Sequence, residues 1–203
     1  MTLKPGEILE EGKIKAKGIT GTGVIALIEK AIGYGLVELP KVKTPDGFIH
    51  LQNNISFSER DLKEAGKAIG AIRAGHITLC AAAGIEMTDI DVAYMAGGAA
   101  GTYMDAEKAQ KIGLIPYSTG KIAQLGNTSL AVARETLLSE ERLWELQDIA
   151  SQIIGTHIMF ATVPEFRDAY VLELAYWEEG GCPSRCLRNT LKRRGGFRHS
   201  MTL

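Results

Sequence analysis

The 203-residue sequence predicts an α/β domain. Two observations carry that prediction. Short apolar runs of strand character alternate with longer segments of helical spacing, and three small-residue turns stand where a helix begins. Alternation of this kind favours a mostly parallel, mixed sheet covered by helices on both faces.

The elements follow in order. Residues 1–17 are polar and irregular, with room for one edge strand. From Thr22 the apolar residues Val24, Ile25, Leu27, Ile28, Ala31 and Ile32 keep helical spacing, and Gly33 and Gly35 end the helix. Residues 36–57 hold Pro40, Pro45, Asp46-Gly47 and the short pieces Phe48–Leu51 and Ile55–Phe57, the pattern of a hairpin or excursion. Ser58-Glu59-Arg60-Asp61 resembles a capping box and opens a long helix towards Gly84. Ile90–Ala96 reads as a buried strand, with a short helix near 105–112 ending at Gly113 before Pro116. Ile122–Leu125 predicts another buried strand, leading through Gly126-Asn127-Thr128-Ser129 into a helix to about Leu138. Ser139 with Glu140 and Glu141 starts the next helix, since acids favour a helix N-terminus. His157–Phe160 is a candidate last strand, and Pro164 suits the first turn of a helix through Tyr176.

Composition narrows the function classes. The chain is 45% hydrophobic and 23% charged with 23 glycines, which is ordinary for a globular protein. No apolar run approaches the roughly 18 residues of a membrane span, and the N-terminus has no signal-like apolar segment. Three cysteines do not make a disulfide framework and fit a reducing cytoplasm. Of the 23 basic residues, six (Arg185, Arg188, Lys192, Arg193, Arg194 and Arg198) follow Glu179 with no acid among them. The rest of the chain carries 17 bases against 24 acids, a net of −7. The sequence thus divides into a lobe over 1–178 and a basic, flexible tail over 179–203. Such a tail can be a solvated terminus or can dock on an acidic surface; nucleic acid is the less favoured partner.

The most informative stretch is Asp89–Gly101, where an apolar run stops at Gly97-Gly98. Paired glycines at the carboxyl end of a buried strand let another group approach the backbone, and ligands of α/β sheets usually sit at that end. The other two turns, Gly18–Gly23 and Gly126–Ser129, precede helices whose unpaired N–H groups attract anions. Each turn alone is better explained by plain capping. Together they give Gly97 and Gly98 as first candidates for a nucleotide, with Gly21, Thr22, Asn127 and Thr128 at helix N-termini as the second set.

Other motifs fail. There is no Gly-x4-Gly-Lys-Ser/Thr, and a Gly-x-Gly-x-x-Gly frame would need glycine where Ala96 stands. Cys182-Pro-Ser-Arg-Cys186 supplies two ligands where an iron–sulfur or zinc site takes four. His76 and His157 fall in helix and strand patterns, and Trp144, Tyr176 and Trp177 suit core or interface packing. No catalytic or metal residue is assigned.

Five segments in order are similar to one family: Gly18-Ile-Thr-Gly-Thr-Gly-Val24, Lys67–Gly75, Asp91–Gly98, Ala109-Gln-Lys-Ile-Gly-Leu-Ile-Pro116 and Gly126-Asn-Thr-Ser-Leu-Ala131. Over about 15–178 the chain resembles the C-terminal domain of the reductive activators of corrinoid proteins, within the acetate kinase, sugar kinase, Hsp70 and actin superfamily. Among these it is most similar to the methanogenesis marker protein 14 group, which implies an archaeal source. The resemblance implies an actin-like (ribonuclease H-like) lobe, ATP or ADP with magnesium at a cleft between two lobes, and Gly97-Gly98 beside the base and ribose. It also implies a corrinoid protein or methyltransferase as partner, and self-association or a further N-terminal lobe. The family's Asp-x-Gly phosphate motifs belong upstream of Gly18 and have no match here, and its iron–sulfur cysteines are absent. The expectation is half of an ATPase site that does not hydrolyse ATP alone and holds no iron–sulfur cluster. Two alternatives stand: a non-catalytic interaction or oligomerisation domain that no longer binds nucleotide, and a metal-dependent redox protein using Cys182 and Cys186.

Overall fold

The computed structural model describes residues 16–115, 122–155 and 157–180. Cys182, Cys186, Pro116 and the basic run after Gly180 lie outside the described residues. The first helix, α1, covers Gly21–Gly33; Thr20 caps it by accepting from the Gly23 amide at 3.1 Å. Two antiparallel hairpins follow: β1 (Val37–Glu38) with β2 (Lys41–Val42), and β3 (Phe48–His50) with β4 (Ser56–Ser58). Their registers pair Val37 with Val42 and Ile49 with Phe57, so each hairpin presents two buried apolar side chains on one face. In place of the one hairpin or excursion expected across 36–57, the chain forms two hairpins, the second reaching Ser58.

Helix α2 runs from Glu59 to Ala83. Its capping box is complete: the Asp61 amide donates to Ser58 Oγ at 3.2 Å and the Ser58 amide to Asp61 Oδ2 at 2.9 Å. Strand β5 (Ala93–Met95) then pairs in parallel with β6 (Ile122–Gln124), with Ala93 opposite Ile122 and Met95 opposite Gln124. The three-residue register makes β5 shorter than the apolar run 90–96, and neither strand is buried as expected. Tyr94 points to solvent and β6 buries no residue, because no further strand or helix covers that face among the described residues. Between the two strands lies α3 (Ala106–Lys111), capped by Asp105, whose carboxylate accepts from the Lys108 amide at 3.1 Å. Helices α4 (Thr128–Leu138), α5 (Glu140–Ile154) and α6 (Pro164–Glu179) complete the described order. The α/β class stands, but the expected mostly parallel sheet does not assemble among the described residues. One pairing, β5–β6, is parallel, and the two hairpins are antiparallel.

The expected strand at His157–Phe160 is also not formed. The segment is irregular and ends in a 3₁₀ turn, Phe160–Thr162. Phe160 explains this, because it stacks on Phe166 with ring centroids 4.9 Å apart and packs against Gly75 of α2. Tertiary packing outweighs the strand propensity of a short run with three apolar residues.

One core joins α1 (Ile25, Ile28), both hairpins, α2 (Leu62, Ile69), Met95, the segment from Ala109 to Ile115, and Trp177 of α6. A second cluster, Ala74, Ile77 and Ala169, extends the seam between α2 and α6. That seam is close because α2 presents Gly66 and Gly70 to it. A Cβ on Gly66 would stand 2.6 Å from Trp177 Cβ, and one on Gly70 would stand 3.0 Å from Glu173 Cβ. By contrast α4 and α5 bury no residue, and Leu130, Leu137, Leu138, Trp144, Ile153 and Ile154 are exposed. Of the expected core or interface aromatics, Trp177 is in the core and Trp144 is on this open pair.

Candidate functional site

Two loops leave the carboxyl ends of the parallel pair and bind each other through backbone. The Gly97 amide donates to the Gly126 carbonyl at 3.0 Å, and the Gly126 amide donates to the Gly101 carbonyl at 3.0 Å. Gly101 closes the first loop on itself by donating to the Gly97 carbonyl at 3.0 Å, and Leu125 donates to Met95 at 2.8 Å, extending the β5–β6 ladder by one step. These bonds dictate glycine at three places. Gly97 (φ 96°) and Gly126 (φ 74°) adopt left-handed conformations that cost other residues energy. At Gly101 a Cβ would overlap the Gly126 carbonyl oxygen and stand 2.8 Å from the Gly97 oxygen.

Gly97 differs from Gly101 in having open space, and the neighbour of Gly98 is a side chain rather than backbone. A Cβ on Gly97 would meet nothing within 4 Å, and one on Gly98 would meet the Asn127 amide nitrogen at 3.3 Å. Asn127 caps α4 by accepting from the Leu130 amide through Oδ1 at 3.1 Å. With Oδ1 so engaged, its Nδ2 donor is the group beside Gly98. Four sequence candidates, Gly97, Gly98, Asn127 and Thr128, therefore meet at one end of the parallel pair. Gly21 and Thr22 belong to the first turn of α1, which packs on α3 and β1. Thr22 Oγ1 there lies 3.2 Å from the capping Thr20 Oγ1. Open backbone at Gly97 and the Asn127 amide beside Gly98 thus stand together at this end of the strand pair. The loops themselves, Gly97–Met104 and Leu125–Leu130, contain no acidic side chain. Among the described residues no three His, Cys, Asp or Glu side chains gather as metal ligands.

One group at these loops is absent from the sequence candidates. Gln124, the last residue of β6, donates through Nε2 to the Ala100 carbonyl at 3.1 Å and to the Met104 carbonyl at 2.6 Å. Its signal in the sequence is an amide inside the apolar run Ile122–Leu125. A second group lies at the α2–α6 seam. Arg73 Nε donates to Glu173 Oε1 at 2.8 Å, and its Nη1 donates to the Gly113 carbonyl at 3.3 Å. Burial pushes the Glu173 carboxyl above the usual carboxylate range, against the pull of Arg73, and burial raises Tyr176 as well. Here too the signal is a charge within an apolar helical run.

Burial pushes the His76 imidazole down on α2, and His157 is exposed; neither is at the glycine loops. Burial raises the Cys80 thiol, with Asp89 and Glu86 adding to the shift. Among the described residues no helix is long and apolar enough to cross a membrane.

Comparison with known proteins gives a consistent set. Residues 4–185 match a family described as the C-terminal domain of RACo, the ASKHA domain. A "[Co(II) methylated amine-specific corrinoid protein] reductase" of Methanosarcina barkeri is 47% identical over 176 residues, 86% of this chain and 32% of that protein. A "corrinoid activation enzyme RamQ" of Eubacterium limosum is 32% identical over 124 residues, 61% of this chain and 20% of that protein. Among solved structures, a "reductive activator for corrinoid, iron-sulfur protein" superposes with a TM-score of 0.63 at 25% identity, covering 79% of this chain and 28% of that one. The chain thus spans between a fifth and a third of the length of these relatives.

Proposed function

The chain belongs to the family of C-terminal, ASKHA domains of RACo, and from that premise we propose that it is the adenine-nucleotide-binding lobe of a reductive activator of corrinoid proteins. Gly97 and Gly98 lie against the base and ribose, and the Nδ2 amide of Asn127 donates to the ligand beside them. Thr128, Gly21 and Thr22 are further contacts from helix N-termini. The observation that carries the reading is the open backbone at Gly97, with the Asn127 amide beside Gly98, held by hydrogen bonds to the Gly126 loop.

The lobe binds nucleotide without hydrolysing it. Phosphoryl transfer needs carboxylates that position magnesium and water, and the two loops supply none. A bound magnesium would neutralise the phosphates, with its carboxylates coming from a partner lobe. The reduction of a corrinoid protein, the activity named for the longer relatives, is the task of the assembled activator rather than of this chain alone.

Titration of the purified chain with MgATP and MgADP tests the reading. A ligand bound only by the native state raises stability, by about 2.7 kcal/mol at one hundred times its Kd. The expected result is a rise in thermal midpoint for wild type and none for Gly98→Asp, with no phosphate release by either. No rise at millimolar nucleotide, or turnover that Gly98→Asp abolishes, overturns it.

A second reading, a non-catalytic interaction or oligomerisation domain, is favoured by the α4–α5 pair. Both helices expose their apolar side chains, with Leu137 at 87% and Ile154 at 72% exposure. Large apolar side chains exposed on two neighbouring helices are the kind of surface that interaction sites use. Sedimentation of wild type against Leu137→Glu/Ile154→Glu separates the readings: association lost in the variant, with no nucleotide response in wild type, supports the second.

A further inference from the structure

The loop that follows Gly97-Gly98 is a single helical turn folded back on itself. Gly101 donates to the Gly97 carbonyl, and both Tyr103 and Met104 donate to the Ala99 carbonyl, at 2.9 and 3.0 Å. A lone turn is marginal by itself, because nucleation fixes several dihedrals for each bond gained. This one is held from outside at two levels. At its start, backbone bonds tie Gly97 and Gly101 to Gly126. At its end, one side chain does the tying: Gln124 Nε2 reaches both the Ala100 and the Met104 carbonyls.

The chemistry of that side chain is specific. Its two N–H groups meet two acceptors, so the amide orientation is fixed, since a turned amide would set an oxygen against two oxygens. Gln124 sits in β6 opposite Met95, the last residue of β5. The clamp therefore references the loop to the same strand pair that carries Gly97-Gly98.

We propose that Gln124 is a positioning residue for the nucleotide: it does not touch the ligand, but holds the 97–104 turn in the shape that keeps the Gly97 backbone open and Gly98 beside the Asn127 amide. This rests on the nucleotide reading above. Loss of the donor leaves two carbonyls to water and lets the turn close or fray across the ligand's place.

Three variants and two readouts test it. Gln124→Met keeps length and removes both donors. Gln124→Glu replaces donors with a carboxylate facing two carbonyls. Gln124→Lys restores donors on a side chain one atom longer. The readouts are MgADP affinity by calorimetry and amide hydrogen exchange over Gly101–Met104 in the unliganded chain. The expected result is MgADP binding weaker by about tenfold in Gln124→Met, the scale of a lost hydrogen bond. Gln124→Glu should be weaker still, and Gln124→Lys should return to within about threefold of wild type. Exchange at Gly101–Met104 quickens in Met and Glu but not in Lys, while the unliganded thermal midpoint moves by less than about 3 °C because the side chain is exposed. Unchanged exchange overturns the clamp. Quickened exchange with unchanged affinity overturns its positioning role. A wild-type chain that binds no MgADP overturns the nucleotide reading itself, and that result is visible before any variant is made.

Discussion

Gly101 and Gly126 meet backbone to backbone across the ends of two parallel strands. The Gly126 amide donates to the Gly101 carbonyl at 3.0 Å, and the Gly126 carbonyl oxygen occupies the place a Gly101 Cβ would take. The contact leaves neither loop free to move without the other, so the backbone at Gly97-Gly98 is shaped from both strands.

Substitution at these glycines should separate structure from ligand. Gly101→Ala forces backbone against backbone and should cost at least about 1–3 kcal/mol, the range of overpacking in a tight site. Gly98→Ala meets only the movable Asn127 amide and should leave the fold within about 1 kcal/mol of wild type while weakening MgADP binding. Urea denaturation and MgADP titration of the two variants check the contrast. Equal stability of both would show that the loops adjust more easily than their geometry implies.

The Arg73–Glu173 pair should behave as a coupled unit. Arg73→Met leaves a carboxylate buried without its partner, a change that typically costs about 3–5 kcal/mol. Replacing both, Arg73→Met with Glu173→Met, should cost less than the sum of the single changes because no charge is stranded. A double-mutant cycle in urea gives the coupling energy. Strict additivity would mean that the 2.8 Å contact contributes nothing in solution.

Acid should weaken the protein before its carboxylates titrate. The folded state holds the His76 imidazole below its ordinary value, so the unfolded chain binds the proton more readily. Stability from this group is present above the ordinary value of about 6.5 and is lost as pH falls below it through the lowered folded value. Glu173, held above the carboxylate range, acts in the opposite sense: its contribution is full at low pH and is lost as pH rises through the raised value. Urea midpoints from pH 7 to pH 5 for wild type and His76→Gln separate the two. The wild type should lose stability over this window, and the variant should lose less.

Much of the order of elements was legible in the residues. Ser58 with Asp61, Pro164, and the alternation of Ile25, Ile28 and Ala31 act through neighbours a few positions away, and local chemistry of that kind survives whatever surrounds it. The turns at Gly97-Gly98 and Asn127-Thr128 were legible for the same reason. The 157–160 segment was misread because its apolar pattern suits a strand, whereas Phe160 is used to cover Gly75. Gln124 and Gly101 were not singled out because their partners stand some 20 residues away in the chain, and no local spacing encodes such a pairing.

The sequence by itself determined the α/β class, the helix caps, the glycine pair at the end of a strand and a resemblance that the family match bears out. Tertiary structure alone decided that Asn127 faces Gly98, that Gln124 clamps the following turn, that Gly66 and Gly70 admit α6 against α2, and that α4 and α5 keep an open apolar face. The physical reason is range. Capping and periodicity are short-range and readable residue by residue, but close backbone approach and buried charge pairing exist only once distant segments share one packed space.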